Sequence, residues 1–179
     1  SPVKNDLVKN GLAREIYSLV SKLNSFEELL QGFLNIISKA CSLPSAAIYL
    51  AIREVLEAYY ICANNFTRKE REDFFKVCKS DFESSFLDVN ITNKEPVKLL
   101  NTDISDSFHS NDIPLSAYQE VILKSGDGKK LGSVYAIKEG SFSSYQLDLL
   151  NFSAEVFSTF LEKFRSEMLD LQGFGALDA

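Results

Sequence analysis

The chain has 179 residues and a formal net charge of −6, with 45% apolar and 25% charged residues. That composition excludes wholesale disorder, and the length suffices for a core without disulfide or metal staples. The acidic balance argues against nucleic acid as a partner, because phosphate contacts need clustered Lys and Arg, and a single histidine, His109, excludes sites that need two.

Three cysteines, Cys41, Cys62 and Cys78, with no CxxC spacing, read as reduced buried thiols of a cytoplasmic domain. No apolar run is long enough to span a bilayer and no signal peptide is legible, so membrane insertion of this segment is not expected. A start at Ser1-Pro2 without Met is expected of a fragment excised from a longer protein, with an output domain beyond it.

In chain order, residues 3–23 place Leu12, Ile16, Leu19, Val20 and Leu23 at helical spacing. Ser25 with Glu28 forms a capping-box pattern that opens a second helix, whose broad apolar face carries Phe26, Leu29, Leu30, Phe33, Ile36, Ile37 and Ala40. Leu43-Pro44 stops it. Residues 46–52 and 55–62 then read as a hairpin of two apolar strands turning near Arg53-Glu54. Thr67 with Glu70 is a further capping box, opening a polar helix to about Lys79 whose apolar face holds Phe74, Phe75, Val77 and Cys78.

Residues 80–115 are irregular, rich in Ser, Asn and Asp, with one short strand at 96–100. Such a stretch inside a domain marks a functional loop or lid. Residues 118–124 and 130–138 are the clearest strands, joined through Ser125-Gly-Asp-Gly-Lys129. Ser143 and Gln146 then box the start of a long helix to about Leu171, ended by Gly173 and Gly175.

The order predicts an α+β fold. An antiparallel sheet of five to six strands has the N- and C-terminal helices on one face, and loops and short helices cover a pocket on the other. Residues 1–24 form an N-terminal signalling helix, 25–165 the sensor domain, and 166–179 the end of a signalling helix leading toward an output domain. Alternation puts Ile48, Leu50 and Ile52 on one face of the first strand and Tyr49 on the other; Ser133 and Tyr135 share a face of the last.

The ordered set Ser25-Phe-Glu-Glu-Leu-Leu, Ala46-Ala-Ile-Tyr-Leu, Pro96-Val, Leu131-Gly-Ser-Val-Tyr-Ala-Ile and Phe142-Ser-Ser-Tyr-Gln-Leu-Asp-Leu-Leu resembles a GAF domain over roughly residues 20–165. The resemblance implies a non-catalytic sensor or regulatory domain that binds a small molecule or partner and transmits its state through the terminal helices. It names no cofactor. Cyclic-nucleotide-binding members carry an Asn-Lys pair, a Phe and an Asp-Glu pair; here Ile137-Lys138, Phe142 and Gln146-Leu147 stand instead, and only the Phe matches fully. Asp112-Ile113-Pro114 is similar to a bilin motif but lacks the following Arg.

A Ser110-His109-Asp112 triad is not expected from sequence neighbours, so no catalytic residue is assigned. Asp103, Asp106 and Asp112 lack the spacing and Gly of a calcium loop. The pocket is expected between the sheet and residues 64–115, with contacts from Tyr49, Phe74, Phe86, Phe108, His109, Asp112, Tyr118 and Tyr135. Leu150, Ala154, Phe157, Leu161, Phe164, Met168 and Leu171 form an apolar stripe flanked by Phe152, Val156 and Phe160. That stripe predicts a homodimer through the first and last helices. The alternatives are a structural dimerisation module without a ligand and a cyclic-nucleotide-binding GAF domain.

Overall fold

The computed structural model describes residues 2–22, 25–52, 55–87 and 97–178, with side chains described for 3–22, 25–51, 56–87 and 97–164. Helix α1 (Pro2–Ser21) leads into α2 (Phe26–Cys41), then β1 (Ser45–Ile52) and β2 (Val55–Cys62). Helix α3 (Arg68–Ser85), the short β3 (Lys98–Leu99) and a single 3-10 turn at Asp106–Phe108 follow. β4 (Ala117–Lys124), β5 (Lys130–Lys138) and α4 (Ser144–Asp178) complete the chain.

The fold is α+β, built on an open five-stranded sheet in the order β3-β2-β1-β5-β4. β1 lies at its centre, antiparallel to both β2 and β5, and β4 pairs antiparallel with β5. The sheet is mixed, not wholly antiparallel as expected: β3 runs parallel to β2 through Tyr59↔Lys98 and Tyr60↔Leu99. A two-residue edge strand takes its direction from where the preceding segment delivers it, which residue pattern does not encode. The turn expected at Arg53-Glu54 lies outside the described residues.

One face of the sheet packs on α1, α2 and α4. Ala46, Ile48, Leu50, Val134 and Ala136 meet Leu30, Phe33, Ile37, Leu150 and Phe157 there. Phe33 and Phe157 stack with ring centroids 3.9 Å apart. Helix α1 joins the same core through the buried Leu12 and Ile16, while Leu19 lies against Gly32 so closely that a Cβ at Gly32 would sit 2.2 Å from its Cδ1. Tyr17 meets Phe160 edge-on at 5.1 Å, and Lys9 pairs with Asp148 at 2.7 Å. Of the two apolar edges of α4, one expected on the sheet and the other on a second copy, both the Leu150-to-Leu161 stripe and the Phe152-to-Phe160 flank are largely packed within the chain.

The opposite face carries Ala47, Tyr49, Ala58, Tyr60 and Tyr135, covered by α3 through Phe74, Cys78 and Phe82. These three recur at one helical spacing, so α3 is amphipathic along its whole length. The helix runs beyond Lys79 to Ser85 because Phe82 extends that stripe, and Val77, expected on the apolar face, is exposed. The Thr67–Glu70 box is complete at its N-terminus. Both reciprocal bonds between Ser143 and Gln146 open α4, at 3.1 and 3.0 Å, and Gln146 also donates to the Cys41 carbonyl at 3.1 Å, tying α4 to the end of α2. Gly173 and Gly175 do not end α4, which continues to Asp178. An interior Gly costs a helix about 1 kcal/mol but leaves its N–H in the ladder, unlike Pro.

Gly132 fixes the closeness of the two central strands. A Cβ there would lie 2.2 Å from the Tyr49 carbonyl oxygen. Gly128, at φ 85°, supplies the left-handed turn between β4 and β5.

Candidate functional site

The site is built where the first turns of α3 meet the β4–β5 edge. Register sets Tyr118 opposite Ile137 and Glu120 opposite Tyr135, all on the α3 side of the sheet. Phe74 comes down from α3 to meet the Tyr118 ring at 6.3 Å and 73°. Between them opens a cavity of about 420 Å³. Phe74, Val77, Leu115 and Ile137 give it apolar walls, and Tyr118, Ser116, Glu70 and Asp73 give it polar groups. A pocket of that size, with apolar walls beside convergent polar groups, suits a small molecule.

Glu70 is the pivot of this wall. Its Oε1 accepts the Thr67 N–H at 2.8 Å, and its Oε2 lies 2.7 Å from His109 Nε2, without an aligned N–H bond. Burial pushes the Glu70 carboxyl up, but the bonds from Thr67 and the nearby His109 outweigh it and hold it below its ordinary value. His109 is 2% exposed, and its Nδ1 lies 3.0 Å from Glu139 Oε1. That oxygen also accepts the Ser110 N–H and hydroxyl, and the Ser110 N–H, followed by His109, lowers the Glu139 carboxyl.

The loop that carries His109 is pinned to the start of α3. Asn64 N–H donates to Asp106 Oδ1 at 2.9 Å, and the Asn65 amide donates to the carbonyls of Asp106 and His109.

A row of polar groups continues inward from the cavity. Tyr118 Oη, Tyr135 Oη, Glu120 Oε2 and Ser133 Oγ are buried without an aligned hydrogen-bond partner. Glu120 Oε1 accepts from Ser85 at 3.0 Å. Burial raises the phenols of Tyr118 and Tyr135 far above their ordinary range, with Cys78 next in effect at Tyr118 and Glu120 at Tyr135. Burial likewise pushes the Cys41 thiol up to about 11 and raises those of Cys62 and Cys78. Such thiols are poor nucleophiles.

Of the residues expected at the pocket, Phe74 and Tyr118 line the cavity. Tyr49 and Tyr135 lie in the filled core beside it, their rings 5.2 Å apart edge-on. Phe86 is buried against Phe82 at 4.4 Å. Phe108 packs toward the other core, His109 stands behind Glu70, and Asp112 is exposed. Sequence reasoning missed Asp73, Leu115, Ser116, Ile137 and Glu139, and read Glu70 only as a helix cap.

A second depression of about 550 Å³ lies on the other side of α3, between Arg71 and Leu99 to Thr102. None of the expected pocket residues lines it. Among the described residues, no group of three or more metal-ligating side chains converges, and no helix is long and apolar enough to cross a membrane.

No protein-family model matches the chain, and no curated protein matches it. Among solved structures the chain is similar to the GAF domain from Acinetobacter phosphoenolpyruvate-protein phosphotransferase, at 12% identity and a TM-score of 0.45, over 84% of this chain and 90% of that one.

Proposed function

We propose that this chain is a non-catalytic regulatory domain that binds a small molecule in the cleft between α3 and the β4–β5 edge and passes the bound state on through α1 and α4. The cavity of about 420 Å³ beside Phe74 and Tyr118 carries this reading. A ligand there touches α3, β4 and β5 together. The core residues of α4 run from Leu149 to Leu161, and the helix continues to Asp178, a lever for any shift of the sheet beneath it. The enclosed His109 and the buried, raised thiols support a regulatory and not a catalytic role. A cyclic nucleotide suits the cleft poorly, since Glu70 and Asp73 line it and, among the described residues, no Lys or Arg does.

Association of two copies belongs to the same proposal, through the faces that intrachain packing leaves open. On α1 these are the exposed Val3, Leu7 and Tyr17.

The test is a thermal-shift screen of metabolites on the wild type and on Val77→Trp, which fills the cleft from an exposed position. Ligands that raise the wild-type melting temperature and lose that effect in the variant are expected, by mass action. A screen without hits, or with hits indifferent to Val77→Trp, overturns the reading and favours a structural module without a ligand.

A further inference from the structure

From the side chains that line the cleft, we infer that its ligand is a small organic cation, an ammonium group on an apolar or aromatic body. This inference rests on the cleft being the ligand site.

The wall beside α3 carries Glu70 and, one turn on, Asp73, and no Lys or Arg lines the cavity among the described residues. Glu70 is kept in its charged form by Thr67 and His109, so the negative wall persists at neutral pH. Apart from Ser116 and the Tyr118 hydroxyl the remaining lining is apolar, and its rings are set for a cation. Phe74 and Tyr118 meet at 73°, forming a corner of two aromatic surfaces. A cation in such a corner is attracted by the negative ring faces, and the more so where water is excluded. The polar row behind the corner sets two phenols beside one carboxylate. Tyr118 Oη and Glu120 Oε2 are buried without aligned partners, and Tyr135, fully buried, leaves its hydroxyl unmatched as well. An N–H-bearing cation donates to the Tyr118 hydroxyl oxygen and to the Glu70 and Asp73 carboxylates, whereas an anion meets like charge at Glu70 and Asp73. An unmatched buried acceptor is costly, which favours a ligand with donors over a purely apolar one.

Three probes with one body and three charges decide the point: 2-phenylethylammonium, 2-phenylethanol and phenylacetate, titrated calorimetrically into the full 179-residue chain. The ammonium is expected to bind at least about tenfold more tightly than the alcohol, with no binding of the carboxylate. Ser116→Lys, at an exposed rim position, puts a cation in the cleft without touching the core. It gives up the exposed bond from Ser116 Oγ to the Gly140 carbonyl and is expected to weaken the ammonium about tenfold, while the free protein keeps a cooperative melting transition. Asp73→Asn is expected to weaken it about threefold, with less salt dependence. The inference is overturned if the alcohol or carboxylate binds as well as the ammonium, if none of the three binds, or if Ser116→Lys leaves the ammonium unaffected. Hits of other charge in the metabolite screen that still depend on Val77 would remove this inference alone and leave the cleft as the ligand site.

Discussion

His109 Nε2 lies 2.7 Å from the Glu70 carboxylate, and its Nδ1 lies 3.0 Å from that of Glu139, so one buried ring joins the first turn of α3 to the end of β5. The residues it joins are distant in sequence, and one of them lines the cleft. Removing the ring leaves two carboxylates facing an emptied space. His109→Leu is expected to cost about 2 kcal/mol and to lower the melting temperature by roughly 5 °C. Chemical denaturation and calorimetry check this. A change within error would mean that the ring is held by its neighbours without holding them.

The same pair sets an acid limb. Glu70 and Glu139 titrate below their ordinary value of 4.5 in the folded chain. A carboxyl depressed on folding stabilises above its unfolded pKa and loses that contribution as pH falls through the folded one. The melting temperature is therefore expected to fall below about pH 4.5. Glu139→Gln should flatten that fall while lowering stability at pH 7. An unchanged acid slope in Glu139→Gln would falsify the link.

Two buried hydroxyls are expected to behave oppositely. Ser45 Oγ donates to the Ile61 carbonyl at 2.9 Å, so Ser45→Ala should cost about 1 kcal/mol. Tyr135 Oη has no aligned partner, so Tyr135→Phe should be neutral or stabilising by up to about 1 kcal/mol. Urea midpoints of the two variants give the comparison. A clear loss in Tyr135→Phe would show that its hydroxyl is satisfied in solution.

Gly132→Ala forces a methyl group to within 2.2 Å of the Tyr49 carbonyl oxygen at the centre of the sheet. Backbone there cannot move aside without opening the β1–β5 ladder. A loss of about 3 kcal/mol or insoluble expression is expected. Gly126→Ala, whose Cβ would have its nearest neighbour, Glu162 Oε2, at 3.9 Å, serves as the control and should be close to neutral.

For association, Phe157→Glu is uninformative because Phe157 is fully buried in the chain's own core. Leu7 and Tyr17 remain exposed on α1, at 67% and 57%. Light scattering at tens of micromolar is expected to show a dimer, and Leu7→Glu, whose side chain is the more exposed of the two, should yield monomers of unchanged stability. A monomeric wild type removes this part of the proposal.

The faces of the sheet were legible because alternation is a local property: Ile48 and Leu50 point to the terminal helices, and Tyr49 points to α3. The helix starts at Thr67 and Ser143 were legible for the same reason, since a cap and its partner lie three residues apart. The parallel pairing of β3 was not, because two residues carry no periodicity. The site was legible only in Phe74 and Tyr118. Glu70 satisfies a local motif so completely that nothing in it signals a second partner in His109, and Glu139 is met across a gap of thirty residues. What brings those groups together is the packing of α3 across the sheet, a tertiary event.

The central position of β1 has a consequence during synthesis. Its partner β2 follows at once in the chain, but β5 is made only after α3, the His109 loop and β4. Until then a nascent chain holds a hairpin whose inner edge, Ser45 to Leu50, offers unpaired backbone groups to any neighbour. Such an edge is the place where ribosome-bound chains of this protein would stick to one another. The order in which the strands emerge thus leaves the middle of the sheet as the last seam to close.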